Sequence, residues 1–141
     1  MKRKASAVWR GDLKSGRGTI STESTSLKET PYAFVNRFDT VPGTNPEELI
    51  GAAHAGCFSM ALSAELGKAG FAPDSVSTTA SVTLENHPQT GWTVTAIHLQ
   101  TEAKVPNITA DKFAEIANGA KVGCPISRLL KADISLDAKL V

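Results

Sequence analysis

Leu49-Ile50-Gly51-Ala52-Ala53-His54-Ala55-Gly56-Cys57-Phe58-Ser59-Met60-Ala61-Leu62-Ser63-Ala64 runs for sixteen residues without Lys, Arg, Asp or Glu. The residues before it, Pro42-Gly43-Thr44-Asn45-Pro46-Glu47-Glu48, form a strong helix start. Asn45 suits the cap, Pro46 the first helical position, and Glu47 and Glu48 the positive end of the dipole. Gly70 and Pro73 punctuate the far end, so the pattern predicts a helix from about residue 46 to Lys68. Its residues are small and apolar almost all round. That predicts a buried helix rather than a surface one. Gly51, Ala52, Ala53, Ala55, Gly56, Ser59 and Ala61 leave room for a second helix to approach closely.

On either side of this helix the chain reads as strands. Lys4–Trp9, Thr19–Thr22 and Pro31–Val35 are short strand candidates, with Gly11-Asp12 marking a turn. After the helix, Val76, Thr78, Ala80, Val82 and Leu84 alternate with polar residues. Asn86–Gly91 makes a turn, and Trp92–Thr101 returns. The apolar phase of that return slips between Val94 and Ile97, the mark of a bulge. Thr109 can cap a second helix bearing Phe113, Ile116, Ala117 and Ala120; Gly123 closes it and Pro125 opens a short third. In the last strand Ala132, Ile134, Leu136, Ala138 and Leu140 share one face. The expected class is α+β, with antiparallel sheets packed on a long buried central helix that carries Cys57.

The length of 141 residues suits a single domain, 1–141, and 41% apolar with 21% charged residues is ordinary for a globular protein. A net charge of +1 supplies no electrostatic reason for a nucleic acid or anionic membrane partner. The apolar run is shorter than a bilayer span and holds Gly, Ser and His. No secretory signal follows the basic start. A cytoplasmic setting is expected. There the two cysteines rest reduced, so a disulfide between them would be transient and chemical. Their spacing excludes a CxxC motif and a four-cysteine zinc site; neither metal nor cofactor is expected.

A thiolate attacks peroxides, and a second thiol can trap the oxidised product as a disulfide. The residues alone do not rank the two thiols. Cys124 precedes Pro125 and sits at a helix start, which lowers a thiol pKa. Cys57 lies mid-helix among apolar residues, which raises it unless a cation is near. His54, one turn earlier, reads most simply as a core histidine. Arg37, in Asn36-Arg37-Phe38, is a cation able to hold a thiolate and to pair with a carboxylate, of which Glu47 and Glu48 are the nearest. Inert packing is the ordinary reading of two buried cysteines.

Asn45-Pro46-Glu47-Glu48-Leu49, Ala52-Ala53-His54-Ala55-Gly56-Cys57-Phe58-Ser59-Met60-Ala61-Leu62 and Gly123-Cys124-Pro125-Ile126-Ser127 together resemble the OsmC branch of the OsmC/Ohr family. Trp9-Arg10-Gly11-Asp12 and Gly18–Ser24 resemble the start of the same branch. The resemblance implies an intertwined homodimer and a thiol-dependent peroxidase that reduces organic hydroperoxides, and hydrogen peroxide less efficiently. By motif position Cys57 is then the peroxidatic cysteine, Cys124 the resolving one, and Arg37 with Glu47 the activating pair. Arg17, in a glycine-rich loop like that of the Ohr branch, is the second candidate. The resemblance further implies an external dithiol reductant, lipoyl-type. It makes His54 a tolerant position, since the family also takes Tyr there. The competing reading is a stress-associated dimer that binds small molecules without catalysis.

Glu47 and Cys57 lie ten residues apart on the expected helix, or about 15 Å along its axis. No glutamate side chain spans that. If both serve one site, either the helix breaks or Glu47 comes from a second subunit, as it would if two such helices crossed about a two-fold axis.

Overall fold

The structure is a computed structural model describing residues Met1–Val141, in two compact units, Met1–Leu49 and Ile50–Val141.

In the first unit, β1 (Ala5–Arg10), β2 (Arg17–Thr22) and β3 (Thr30–Tyr32) form an antiparallel sheet in that order. The turn after β1 is held by Asp12. Its carboxylate accepts from the Ser15 hydroxyl and from the backbone N–H groups of Ser15 and Lys14, which together hold its pKa down at about 2. Gly18 must lack a side chain, because a Cβ there would run into the Tyr32 ring and the Val8 carbonyl. The space it leaves lets Trp9 and Tyr32 meet with ring centroids 5.4 Å apart.

The expected strand Pro31–Val35 stops at Tyr32, and Phe34–Arg37 forms a 3₁₀ turn instead. The reason is local hydrogen bonding. The buried Asn36 amide donates to the Val41 and Pro42 carbonyls, and Asn45 donates to the Asn36 carbonyl at 3.0 Å. These bonds tie the segment to the loop and the helix start that follow it, while its own N–H groups pair back to the Ala33 and Val35 carbonyls, and the segment curls. Asn45 also caps α1 (Pro46–Lys68), accepting the Glu48 N–H at 2.8 Å.

The second unit holds most of α1 together with β4 (Ser75–His87), β5 (Gly91–Lys104), α2 (Ala110–Gly123), α3 (Pro125–Leu129) and β6 (Asp133–Leu140). β4 and β5 are antiparallel. Their register shifts at Thr83/Leu84, which leaves Thr95 unpaired between Val94 and Ala96, the bulge foreseen from the apolar phase. β6 corrects the all-antiparallel expectation, since it runs parallel to β5. The helices α2 and α3 lie between these two strands, and such a crossover lets the chain re-enter the sheet in the same direction.

The expectation of a helix buried all round is corrected too. α1 buries one stripe, Gly51, His54, Phe58, Leu62 and Leu66, at three- and four-residue steps. Phe58, Leu62 and Leu66 are fully inaccessible and join Ile97, Leu99, Phe113 and Ala117 in the core. Each such side chain contributes roughly 1.5–3 kcal/mol. Gly51 allows the close approach to β4, where a Cβ would stand 3.2 Å from the Ala80 carbonyl oxygen. A chain of hydroxyls fixes the helix on the sheet: Ser59 donates to Thr78, Thr78 to Thr101, and Thr101 to the Ser77 carbonyl. Ala52, Ala53, Gly56 and Met60 stay exposed on the opposite face. At 23 residues α1 exceeds the sixteen-residue run, and by length and composition alone it could cross a membrane. Its buried stripe makes it the core helix of this unit.

Candidate active site

Arg37 ends the 3₁₀ turn, and Glu47 stands in the first turn of α1. Their side chains meet, Nη2 to Oε1, at 3.3 Å. Arg37 is 27% exposed and Glu47 14%, so the pair is partly shielded from water. The other Glu47 oxygen, Oε2, is buried without a partner. Arg17, the second candidate, is tied to its own loop, its Nη1 donating to the Ser15 and Gly16 carbonyls. Beside Arg37 lies a cavity of about 290 Å³ lined by Trp9, Leu13, Tyr32, Phe34 and Pro46.

In the second unit the two cysteines come together. Cys124 continues the buried stripe of Phe113, Ala117 and Ala120 on α2 and is itself fully inaccessible. Pro125 forces the residue before it out of helical geometry, and Cys124 has φ −60° and ψ 125°. α2 therefore ends there, and the thiol sits at the start of α3. Cys57, half-buried on α1, is close enough to the buried Cys124 for the two thiols to shift each other's acidity.

Their surroundings split the two pKa values. Burial pushes Cys57 up, the Ile126 N–H pulls it part of the way back, and the neighbouring Cys124 adds to the rise. No cation stands beside Cys57 within this unit. Burial pushes Cys124 up as well, but the Ser127 N–H, the Cys57 thiol, the Ser127 hydroxyl and the Ile126 N–H outweigh it, and its pKa falls. The sulfur closes no full helix-capping hydrogen bond; these donors face it at looser geometry. The two thiols are thus pushed in opposite directions, Cys57 up and Cys124 down.

His54 departs from a satisfied core histidine. It is completely buried, and its Nε2 lies 2.8 Å from the Ser127 hydroxyl oxygen, while Nδ1 has no partner. Burial holds its pKa below the ordinary value, so the ring is neutral near pH 7. Ser127 escaped the sequence reading. Its signal was its spacing, three residues after Cys124 and behind a Pro at the first helical position, where N-cap and N3 side chains meet.

Of the apolar side chains that flank the motifs, Phe34, Phe38, Phe58, Met60, Ile126 and Leu129, few meet at one cavity, and Ile126 packs against the core. Phe34 lines the cavity at Arg37, and Phe38 stacks edge-on against Phe34 with centroids 5.2 Å apart. Phe58 belongs to the core, while Met60 and Leu129 are exposed at 70% and 73%.

Residues 38–139 match the family model described as OsmC-like protein. The chain is 54% identical over 138 residues to peroxiredoxin OsmC of Escherichia coli K12 and equally to that of Shigella flexneri, covering 98% of this chain and 96% of each relative. Among solved structures, an OsmC-like protein of Vibrio cholerae superposes with a TM-score of 0.79 at 15% identity, over 98% of this chain and 99% of that one. The organic hydroperoxide resistance protein OhrB of Bacillus subtilis does so with a TM-score of 0.72 at 22% identity, over 98% of each. The sheet order, the capped α1 and the paired thiols accordingly sit in a shared fold, and the chain belongs to the OsmC-like protein family.

Proposed function

We propose that this protein is a thiol-dependent peroxidase that reduces organic hydroperoxides to alcohols through Cys57 and Cys124. The observation that carries the reading is the meeting of the two sulfurs. A sulfenic acid formed on one is within reach of the other, and an inert buried pair has no need of donors aimed at a sulfur.

In the cycle, Arg37, oriented by Glu47, holds Cys57 as the thiolate. The thiolate attacks the terminal peroxide oxygen, the O–O bond breaks, and the alkoxide leaves and takes up a proton. Arg37 stabilises the negative charge that develops on it. Cys57 is now a sulfenic acid. Cys124 attacks its sulfur, the disulfide forms, and water departs. An external dithiol, lipoyl-type by family resemblance, reduces the disulfide. A cytoplasmic setting belongs to this reading, because the cycle starts from two reduced thiols. The test is a thiol count before and after one equivalent of cumene hydroperoxide. Both thiols disappear together in a peroxidase of this design; retention of both favours the non-catalytic binding dimer.

The cavity at Arg37 suits an apolar substituent on the peroxide. Each CH₂ that a substrate buries there is worth roughly 0.8 kcal/mol. Catalytic efficiency is expected to be higher with cumene hydroperoxide than with hydrogen peroxide. Equal efficiencies would remove the cavity from the substrate path.

The working unit in this reading is a homodimer whose sites are shared. α1 is one helix from Pro46 to Lys68, so Glu47 and Cys57 of one subunit remain about 15 Å apart along its axis. The exposed face of Ala52, Ala53, Gly56 and Met60 supports a second copy of α1 packing on it. Gly56 lowers helix propensity by about 1 kcal/mol relative to Ala, yet beyond its own turn of helix backbone nothing in the chain lies within 4 Å of where its Cβ would be. In the dimer, Glu47 and Arg37 serve Cys57 of the partner subunit. Refolding a mixture of Glu47→Ala and Cys57→Ser chains then leaves one intact site per mixed dimer, and activity partly returns. No recovery, with wild-type refolding normally, overturns the shared site.

A further inference from the structure

We propose that Ser127 and His54 are positioning residues for disulfide formation: the His54 ring fixes the Ser127 hydroxyl, and that hydroxyl holds the Cys124 sulfur as a thiolate directed at Cys57. The inference rests on the peroxidase reading above and adds to it two residues that lie outside the expected catalytic set.

Ser127 has a single hydroxyl proton. Its oxygen lies 2.8 Å from the His54 Nε2, and its place in the first turn of α3, three residues after Cys124 at the cap, sets it beside the Cys124 sulfur without closing a full hydrogen bond. A hydroxyl that donates to the sulfur must accept from the ring, so His54 carries its proton on Nε2. That leaves Nδ1 as a bare lone pair, and Nδ1 is the ring atom that is buried with no partner. The opposite arrangement would bury an unpaired N–H and aim a hydroxyl lone pair at the sulfur, which disfavours the thiolate. The direction of donation therefore runs from His54 to Ser127 to Cys124. Complete burial of His54 keeps the ring neutral and its orientation fixed.

The arrangement serves the second half of the cycle. Cys124 loses its proton and attacks the sulfur of the Cys57 sulfenic acid. The S–S bond forms, the S–O bond breaks, and the departing hydroxide takes a proton. One thiol and one sulfenic acid thus yield one disulfide and one water, with no net proton gained or lost. A thiolate already stabilised before the attack removes the deprotonation from the slow step. Cys57, by contrast, waits for its activating cation, so the two thiols are prepared for different steps.

The groups around Cys124 that titrate are few. Cys57 and His54 face it from α1. Lys121 of α2 donates to the Ile134 carbonyl, Arg128 of α3 is exposed, and Asp133 and Asp137 lie on the exposed face of β6.

The experiment has two arms. In quenched-flow mass spectrometry with cumene hydroperoxide, Ser127→Ala and His54→Leu slow conversion of the Cys57 sulfenic acid to the disulfide by about tenfold or more, the scale of one hydrogen bond to a charged group. Formation of the sulfenic acid stays within about twofold of wild type, since that step does not use Cys124. Ser127→Thr, which keeps the hydroxyl, and His54→Gln, which keeps a donor near the Nε2 position, restore the second step. The other arm needs no peroxide. In Cys57→Ser protein only Cys124 can form a thiolate, and the midpoint of its ultraviolet absorbance titration moves up in pH when Ser127→Ala is added. An unmoved midpoint overturns the proposal whatever the peroxide chemistry, as does a disulfide step at wild-type rate or an equal slowing of both steps. Absence of any sulfenic acid on wild-type Cys57, with the midpoint still shifted, overturns the peroxidase reading and leaves the Ser127–Cys124 interaction standing.

Discussion

Replacing Cys57 with serine is expected to abolish peroxide reduction, whereas Cys124→Ser is expected to complete one turnover and stop with Cys57 oxidised. A serine hydroxyl is not ionised near neutral pH and does not attack peroxide, so loss of the attacking sulfur removes the chemistry outright. Loss of the resolving sulfur removes only the means of closing the cycle. A sulfenic-acid trap should label Cys57 in Cys124→Ser protein after one equivalent of peroxide. The experiment is a demanding one because the isolated chain makes Cys124 the more acidic thiol, while burial and its neighbour hold Cys57 up. If acidity within one chain decided the roles, the trap would label Cys124 in Cys57→Ser protein, and the assignment of attack and resolution would reverse. In the proposed dimer, a cation supplied by the second subunit would reconcile a raised Cys57 with the attacking role.

Arg37→Ala is expected to slow peroxide attack by at least about a hundredfold, the scale of losing one preorganised electrostatic donor. Two effects combine. The cation that favours the Cys57 thiolate is gone, so fewer molecules are competent at neutral pH, and the departing alkoxide loses its stabilising charge. The substitution also strands Glu47, which already keeps Oε2 buried without a partner and would then have neither oxygen paired to Arg37. Arg37→Lys tests the geometry separately from the charge. A compact ammonium replaces the planar fork, and activity should recover only in part. Arg17→Ala is expected to do much less, because its guanidinium is occupied by the Ser15 and Gly16 carbonyls of its own turn. Stopped-flow measurement of Cys57 oxidation in the variants decides between them. Loss of activity in Arg17→Ala with retention in Arg37→Ala moves the activating role to the loop.

The amino-acid order alone determined the features that arise from a few consecutive residues. The Asn45-Pro46-Glu47-Glu48 start of α1 is written in cap and dipole chemistry, and Asn45 accepts the Glu48 N–H as those rules require. The bulge at Thr95 is written in the slip of apolar phase between Val94 and Ile97. The exit of Cys124 from the helix is written in Pro125, which denies its predecessor helical geometry. Tertiary structure decided what depends on distant partners. Pro31–Val35 has strand-like composition, yet the Asn36 side chain ties Phe34–Arg37 to the Val41 and Pro42 carbonyls, Asn45 meets the Asn36 carbonyl, and the chain curls after Tyr32. β6 carries the same alternation whether it pairs parallel or antiparallel, and only the helical crossover before it sets the direction. The small residues of α1 are equally apolar on every side, and only docking on the sheet separates the stripe of His54, Phe58, Leu62 and Leu66 from the exposed Ala52, Ala53, Gly56 and Met60. His54 and Ser127 stand seventy-three residues apart, and their hydrogen bond exists because α1 and the start of α3 pack around one sulfur. Local steric and capping rules act over a few residues and can be read in order. Hydrogen bonds and burial act through space, so the pairing of these side chains appears only when the chain has closed on itself.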